Sequence, residues 1–180
     1  MKEISLHILD IVQNSIVAKA DEIEIIIAEK IKQNILKIKI KDDGSGMTKK
    51  EQKEVLDPFV TSRTTREVGL GLPFLKKAAE NCNGELILDS QKGEGTSLEV
   101  IFEYDHIDRA PLGDIVGTIV SLIITNPQLD FLYKHIYNDK KFELNTKEVK
   151  EEIGDIEINH PEIVNWINDY ITENLNELRQ

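Results

Sequence analysis

Four short motifs follow one another within the first 96 residues of this 180-residue chain, and their order restricts the folds that can accommodate it. The first is an asparagine, Asn14, in the apolar segment Ile-Val-Gln-Asn-Ser. The others are Asp-Asp-Gly-Ser-Gly at 42–46, Gly-Leu-Gly-Leu at 69–72 and Gly-Glu-Gly-Thr at 93–96. Each motif alone is a weak signal, because glycine-containing turns are common. Taken together and in this order, they indicate a nucleotide-binding site.

The hydrophobic pattern around the motifs indicates alternating helices and strands. Residues 4–18 are apolar on most sides of a helix, and residues 35–41 alternate Leu or Ile with Lys, as in a half-buried strand. That strand runs directly into the 42–46 motif. We also predict strands over 22–28, 85–90 and 96–104. Helices are predicted to begin after Thr48 and at residue 72, and Gly84 is expected to cap the end of the second. Beyond residue 105 we predict an apolar helix over 115–124, a hairpin over 129–145, a helix from Asn145 and an amphipathic helix from Pro161.

The composition is that of a soluble globular protein, with 40% hydrophobic and 31% charged residues. Its apolar runs are shorter than the roughly 18 residues that a membrane span requires. A net charge of -11 argues against nucleic acid as a major ligand. The single cysteine, Cys82, fits a reducing compartment. We therefore expect a cytoplasmic protein that binds neither nucleic acid nor membrane.

The charge is unevenly distributed along the chain. Residues 106–180 contain twice as many acidic as basic residues, whereas the preceding part is closer to balance. Pro111 and Gly113 follow the change in composition. We predict a nucleotide-binding domain over 1–105 and an acidic C-terminal extension over 106–180, containing a helix, a hairpin and two further helices.

Asp42 is the candidate for recognising the base of a nucleotide. A carboxylate at the end of a strand can accept a hydrogen bond from an exocyclic amine such as that of adenine. Gly44 and Gly46 would let the backbone approach a flat ring closely. The residues leave open the alternative that this motif is an ordinary Asp-Gly turn.

The 69–72 motif is the candidate for binding phosphate. Gly69 and Gly71 at the start of a helix would offer free backbone amides to an anion, although a flexible hinge is an alternative. The pattern is neither a Walker loop nor a dinucleotide-binding fingerprint. Arg63, in the aperiodic segment 60–68, is within reach of a terminal phosphate or is a solvated loop charge.

Asp10 and Asn14 lie one helical turn apart on an otherwise apolar helix. An asparagine oxygen can coordinate Mg²⁺ together with phosphates and waters. A neighbouring carboxylate can activate a water as a general base, which makes Asp10 the candidate catalytic residue. Both residues can instead cap or bridge neighbouring elements. His7 lies on the same stripe, and we expect a structural role for it.

The four motifs resemble those of the GHKL ATPase superfamily, which includes DNA gyrase B subunits, heat-shock chaperone ATPases, sensor histidine kinases and MutL proteins. The resemblance covers residues 4–104. It implies ATP and Mg²⁺ as cofactors, and it implies a Bergerat fold: an α/β (α+β) two-layer sandwich with helices on one face of a mixed sheet. The implied binding residues are Asn14 for Mg²⁺, Asp42, Gly44, Gly46 and Thr96 for adenine, and Arg63, Gly69, Gly71 and Leu72 around the phosphates.

Two departures from the family pattern affect the expected activity. The general-base glutamate of the gyrase and MutL type is replaced by Asp10, which is one methylene shorter, so hydrolysis is expected to be slow. Only three residues precede the first helix, so a phosphoacceptor hairpin is not expected before it. The resemblance therefore implies a slow ATPase or a protein kinase acting in trans. The alternatives are a non-catalytic ATP-dependent switch that binds a protein partner, or a degenerate domain. The extension is similar to that of small stand-alone ATP-binding proteins encoded near iron hydrogenases.

Overall fold

The computed structural model describes residues 2–59 and 71–180, which form a mixed six-stranded sheet covered by helices. The strands are β1 (Glu22–Lys30), β2 (Ile35–Asp42), β3 (Glu85–Gln91), β4 (Gly95–Glu103), β5 (Asp130–Tyr137) and β6 (Lys140–Asn145). The helices are α1 (Ile4–Val17), α2 (Lys49–Leu56), α3 (Gly71–Asn81), α4 (Ile115–Thr125), α5 (Thr146–Ile153) and α6 (Pro161–Leu178). Ile31–Gln33 form a 3-10 turn between the first two strands.

The sheet has the strand order β3-β4-β2-β1-β5-β6. The pairs β3–β4, β4–β2, β2–β1 and β5–β6 are antiparallel, whereas β1 and β5 are parallel. The first four strands in sequence come from the N-terminal part of the chain. The acidic extension adds β5 and β6 to the free edge of β1, so one sheet runs through both parts.

Side chains alternate between a buried and a partly exposed face of the sheet. Ile25 of β1 and Ile38 of β2 are at most 1% exposed, and they belong to the same hydrophobic core as the equally buried Ile8 and Val12 of α1. The opposite face carries cross-strand ion pairs such as Lys37–Glu99, at 2.9 Å. This arrangement confirms the predicted α+β sandwich of helices on a mixed sheet.

The boundaries of most elements agree with the sequence pattern, and the helix ends explain why. The hydroxyl oxygen of Thr48 accepts a hydrogen bond from the Glu51 amide, and the Glu51 carboxylate accepts one from the Thr48 amide, as expected of a capping box.

The expected role of Gly84 was wrong. The left-handed residue that ends α3 is Asn83, with φ 53°. Gly84 is needed for space, since a Cβ there would lie 1.8 Å from the Ile101 carbonyl oxygen.

No helix in the described ranges 2–59 and 71–180 is both long enough and apolar enough to cross a bilayer.

The first and last glycine motifs pack directly against each other. A Cβ on Gly46, which has a φ of +63°, would lie 1.9 Å from the carbonyl oxygen of Gln91. A Cβ on Gly95, at φ +109°, would lie 2.0 Å from the carbonyl oxygen of Asp42. The two loops therefore approach backbone to backbone, and glycine is the residue that this approach requires.

A buried polar cluster joins the extension to the rest of the sheet. Glu29 of β1 is 2% exposed and accepts hydrogen bonds from His135 Nε2 at 2.7 Å and from Arg179 at 3.0 Å. Tyr104 donates to the same carboxylate, and the Tyr133 hydroxyl contacts His135 Nδ1 at 2.7 Å. Burial by itself raises the pKa of Glu29, but the hydrogen bonds from His135 and Arg179 outweigh it and bring the pKa to about 2.

The packing of the two glycine loops predicts unequal costs for two glycine substitutions. Gly93 also has a positive φ, of +83°, but a Cβ there would meet nothing within 4 Å. We expect Gly93→Ala to cost about 1–2 kcal/mol from backbone strain alone. Gly46→Ala adds a collision with Gln91, and we expect a cost of at least ~3 kcal/mol. Urea denaturation measures both, and equal costs would contradict the loop packing.

The Glu29 cluster predicts a loss of stability in acid. Because the folded-state pKa of about 2 lies below the ordinary value of 4.5, the cluster stabilises the protein fully above pH 4.5 and progressively less toward pH 2. Glu29→Gln should cost about 3 kcal/mol of unfolding free energy at pH 7, with the difference from wild type shrinking toward pH 2.

The matched control is Glu24→Gln, which changes a glutamate of the same strand that pairs with Lys134 and has a side chain 25% exposed. We expect it to cost less than about 1 kcal/mol. A Glu29→Gln cost that is equally small, or independent of pH between 2 and 5, contradicts this account of the cluster.

Candidate functional site

Three side chains from three neighbouring strands lie in one row at the end of the sheet. Asp42 of β2 pairs in register with Thr96 of β4, and Thr96 pairs with Ser90 of β3. Asp42 is 7% exposed and Ser90 is 5% exposed, while Thr96 is half-buried. The antiparallel register therefore brings together residues that are up to 54 positions apart in the sequence.

The Asp42 carboxylate is fixed on both of its oxygens. Ser15 of α1 donates its hydroxyl to Oδ2 at 2.6 Å, and the Gly44 amide donates to Oδ1 at 2.9 Å. The Ser45 amide also donates to the Ala18 carbonyl oxygen just after α1, at 2.8 Å. These bonds hold the first glycine loop against the end of α1, with the carboxylate between them.

Gly44 has a packing role of its own. A Cβ at this position would lie 2.9 Å from the Ala18 carbonyl oxygen and 3.0 Å from Asp42 Oδ1. The close approaches of Gly44, Gly46 and Gly95 are thus to other parts of the protein. The approach of Gly44 and Gly46 to a ligand ring stays a prediction.

Ser90 connects the row to the neighbouring loops. Its hydroxyl oxygen lies 2.8 Å from the Met47 amide nitrogen, 2.9 Å from the Gly95 carbonyl oxygen and 2.8 Å from Thr96 Oγ1. Gln52 of α2 donates to the Ser90 backbone carbonyl at 2.8 Å.

Sequence reasoning missed both Ser15 and Ser90. The only signal was that each is a small polar residue on the buried face of its element.

Asp10 and Asn14 precede Ser15 on α1, and Asp10 lies next to the start of α3. An ideal Cβ on Gly71, the first residue of α3, would lie 3.2 Å from Asp10 Oδ2. The Asp10 carboxylate therefore lies against the start of α3, and glycine leaves room for it. Neither Asp10 nor Asn14 has a side-chain hydrogen bond to another described residue, so their oxygens are available to a ligand.

The donor set fits Mg²⁺ only with help from a ligand. The described part of the chain contains no cluster of three or more His, Cys, Asp or Glu residues that could hold a metal ion. The Asn14 carboxamide is half-buried and supplies one oxygen. Mg²⁺ characteristically keeps several waters and binds substrate phosphates alongside few protein oxygens. Asn14 is therefore a suitable single protein ligand in the presence of a phosphate-bearing nucleotide.

Of four other predicted residues, the structure describes two. Leu72, in the first turn of α3, is 6% exposed and belongs to the hydrophobic core. Arg63 and Gly69 lie outside the described residues. His7 is 4% exposed, burial lowers its pKa, and its Nδ1 has no partner among the described atoms, so it is a neutral side chain within the helix layer.

A hollow of about 440 Å³ adjoins one side of the row. The side of the hollow next to the row is lined by Asp42, Met47 and Thr96. The side toward the outer face of the sheet is lined by Lys41 and Asp89. Its lining does not include Asp10 or Asn14. The hollow thus touches the Asp42 end of the site and not the end near α3.

Comparison with known proteins identifies the family of the N-terminal part of the chain. Residues 2–106 match the family model of the histidine kinase-, DNA gyrase B- and HSP90-like ATPases. Sporulation kinase E of Bacillus subtilis is 33% identical over 101 residues, which are 56% of this chain and 13% of the kinase. The sensor-like histidine kinase SenX3 of Mycolicibacterium smegmatis is 32% identical over 50% of this chain and 25% of its own length.

Solved structures show the same fold at low sequence identity. The MutL ATPase domain of Aquifex aeolicus, solved with ADP, aligns with a TM-score of 0.52 and 16% identity over 85% of this chain and 68% of that domain. The N-terminal domain of a DNA repair protein aligns with a TM-score of 0.59 and 17% identity over 81% of this chain and 53% of that structure.

The family model covers more than half of the chain and includes the Asp42–Thr96–Ser90 row and the Asp10–Asn14 stripe. The chain therefore belongs to the family of histidine kinase-, DNA gyrase B- and HSP90-like ATPases.

Proposed function

We propose that this protein binds Mg-ATP and acts as a slow ATPase or as a protein kinase in trans. The observation that carries the proposal is the buried Asp42 carboxylate, held by Ser15 of the same helix that presents Asn14 and Asp10. Membership of the ATPase family supports ATP as the nucleotide. The roles of the individual residues and the type of reaction are part of the proposal.

The adenine would bind at the Asp42 end of the site. Asp42 accepts hydrogen bonds from Ser15 and Gly44, and each of its oxygens keeps a second lone pair for a donor from the ligand. The exocyclic amine of adenine is such a donor. Thr96, the register partner of Asp42, would bind the same edge of the base.

The phosphates would lie toward Asp10 and α3. Along α1, Ser15 and Asp10 are five residues apart, so about 7.5 Å of helix axis separates the two ends of the site. The start of α3 presents backbone amides that favour an anion. The Asp10 carboxylate against Gly71 adds a negative charge there, so a triphosphate needs a cation to offset the repulsion.

The chemistry expected of these residues is mainly positioning. Mg²⁺, when bound, would neutralise phosphate charge, and Asn14 would supply its protein oxygen. Asp10 would orient or deprotonate an attacking water or hydroxyl group. Because its side chain is short and exposed, we expect slow turnover.

A conformational switch is a second candidate function, and the continuity of the sheet favours it. β5 of the extension pairs along β1, which in turn pairs with β2, the strand that carries Asp42. Exposed groups on α6, including Trp166 at 49% exposure and Asp169, offer a surface for a protein partner. In this alternative, ATP binding without turnover would change how the extension meets that partner.

Measuring ATP affinity and phosphate release on variants tests the proposal. We expect Asp42→Asn to weaken ATP binding at least about tenfold, because it removes a charged acceptor. Asn14→Ala should lower turnover at least about 100-fold in the presence of Mg²⁺, and Asp10→Asn should lower it about 10- to 100-fold. Calorimetry gives the affinity and a phosphate-release assay gives the rate.

Gln128→Ala and Asp155→Asn, at exposed positions outside α6, are matched controls, and both should behave as wild type. Unchanged affinity in Asp42→Asn contradicts the adenine assignment. Tight ATP binding without turnover in the wild type, and without transfer of labelled phosphate to another protein, favours the switch over the enzyme.

A further inference from the structure

The Ser90 hydroxyl makes three hydrogen bonds. Which atom donates in each of them determines whether Thr96 can donate to a ligand. A hydroxyl group has one proton to donate and two lone pairs to accept with. Ser90 Oγ has three partners: the Met47 amide, the Gly95 carbonyl oxygen and Thr96 Oγ1. Three partners saturate it.

The identity of the partners assigns each proton. The Met47 amide can only donate, so it occupies one lone pair of Ser90 at 2.8 Å. The Gly95 carbonyl can only accept, so it takes the Ser90 proton at 2.9 Å. The 2.8 Å contact with Thr96 must then use the Thr96 proton. If Ser90 donated to Thr96 instead, two oxygens would face each other at 2.9 Å without a proton between them.

We infer that Ser90 is a positioning residue that sets the hydrogen-bond polarity of Thr96, and thereby makes the base-binding edge of the site accept hydrogen bonds only. With its proton committed to Ser90, Thr96 Oγ1 has lone pairs alone for a ligand. The Asp42 carboxylate beside it also only accepts. The inference deepens the proposed ATP function and rests on it.

The consequence is selection among purines at position 6 of the ring. An amino group at this position, as in adenine, donates to the acceptor-only edge. An oxo group, as in hypoxanthine, would place a third acceptor against Asp42 and Thr96. A site whose polar groups are left unpaired by the wrong ligand discriminates strongly against it. Ser90 is 5% exposed, so it acts through Thr96 and not by touching the base.

The test compares ATP with ITP by competition against a fluorescent ATP analogue. The two bases differ in the amino or oxo group at position 6 and in the proton that hypoxanthine carries on N1. In Ser90→Ala the Thr96 hydroxyl can turn and donate to the oxo group. We expect the ratio of the ITP dissociation constant to the ATP dissociation constant to fall about tenfold. In a Thr96→Val background, Ser90→Ala should change the ratio less than about twofold, since no hydroxyl remains to reorient. Ser121→Ala, at an exposed serine of α4, should leave the ratio unchanged.

A purely structural role for Ser90 predicts a different result. It would weaken ATP and ITP binding by the same factor, and the same loss would appear in the Thr96→Val background; either finding overturns the inference. Ser90→Cys has nearly the size of serine and a weak hydrogen-bonding group, so it serves if Ser90→Ala does not fold. A wild-type ratio in Ser90→Cys also overturns the inference. Absence of ATP binding by the wild-type protein would instead overturn the proposed function.

Discussion

The register between β2 and β4 is the constraint on which the candidate site depends. It sets Asp42 beside Thr96 and brings Gly95 against the Asp42 carbonyl, where no Cβ fits. A slip of one residue would move Asp42 to the outer face of the sheet. Ile38 of β2 and Leu98 of β4 are buried on the inner face of the sheet. A slip would turn such side chains toward solvent, and this cost prevents it. The hydrophobic pattern of the strands thus fixes the geometry of the polar row.

The hydrogen bond from Ser15 to Asp42 extends this constraint to the helix layer. It fixes the position of α1 relative to the sheet. The helical repeat then sets the positions of Asn14 and Asp10. Gly71 then allows α3 to begin against Asp10. The helix therefore connects the Asp42 carboxylate, which Ser15 contacts, to Asn14 and to the Asp10 carboxylate at the start of α3.

The extension belongs to the same sheet through a different kind of interaction. Glu29 is buried with His135 and Arg179, and a buried carboxylate needs such partners because desolvation opposes its charge. Removal of His135 would leave the buried Tyr133 hydroxyl without its partner, and removal of Arg179 would take a positive charge from the buried carboxylate. The cluster therefore makes the position of α6 sensitive to the position of β1.

Much of this architecture could be predicted from the sequence, because the strands and helices have strong periods. The Lys-Ile alternation before Asp42 and the Thr48–Glu51 capping box are local signals, and both structures formed as expected. The joining of β5 to β1 was not predictable from local pattern, since parallel pairing over a hundred residues leaves no short-range signature.

The roles of Ser15 and Ser90 were also beyond sequence reasoning. A serine on a buried face is compatible with many partners, and only tertiary packing selects Asp42 for one and Thr96 for the other. Asn83 was missed as the residue that ends α3 because the following Gly84 is the stronger capping signal in sequence. In each case a non-local contact decided between local alternatives.

The most direct measurement is a crystal structure with a non-hydrolysable ATP analogue and Mg²⁺. The account predicts the adenine amino group within hydrogen-bonding distance of the Asp42 carboxylate, about 2.7–3.2 Å, with Mg²⁺ next to the Asn14 oxygen. Adenine bound on the Lys41 and Asp89 side of the hollow, with its amino group beyond hydrogen-bonding distance of the Asp42 carboxylate, would contradict it.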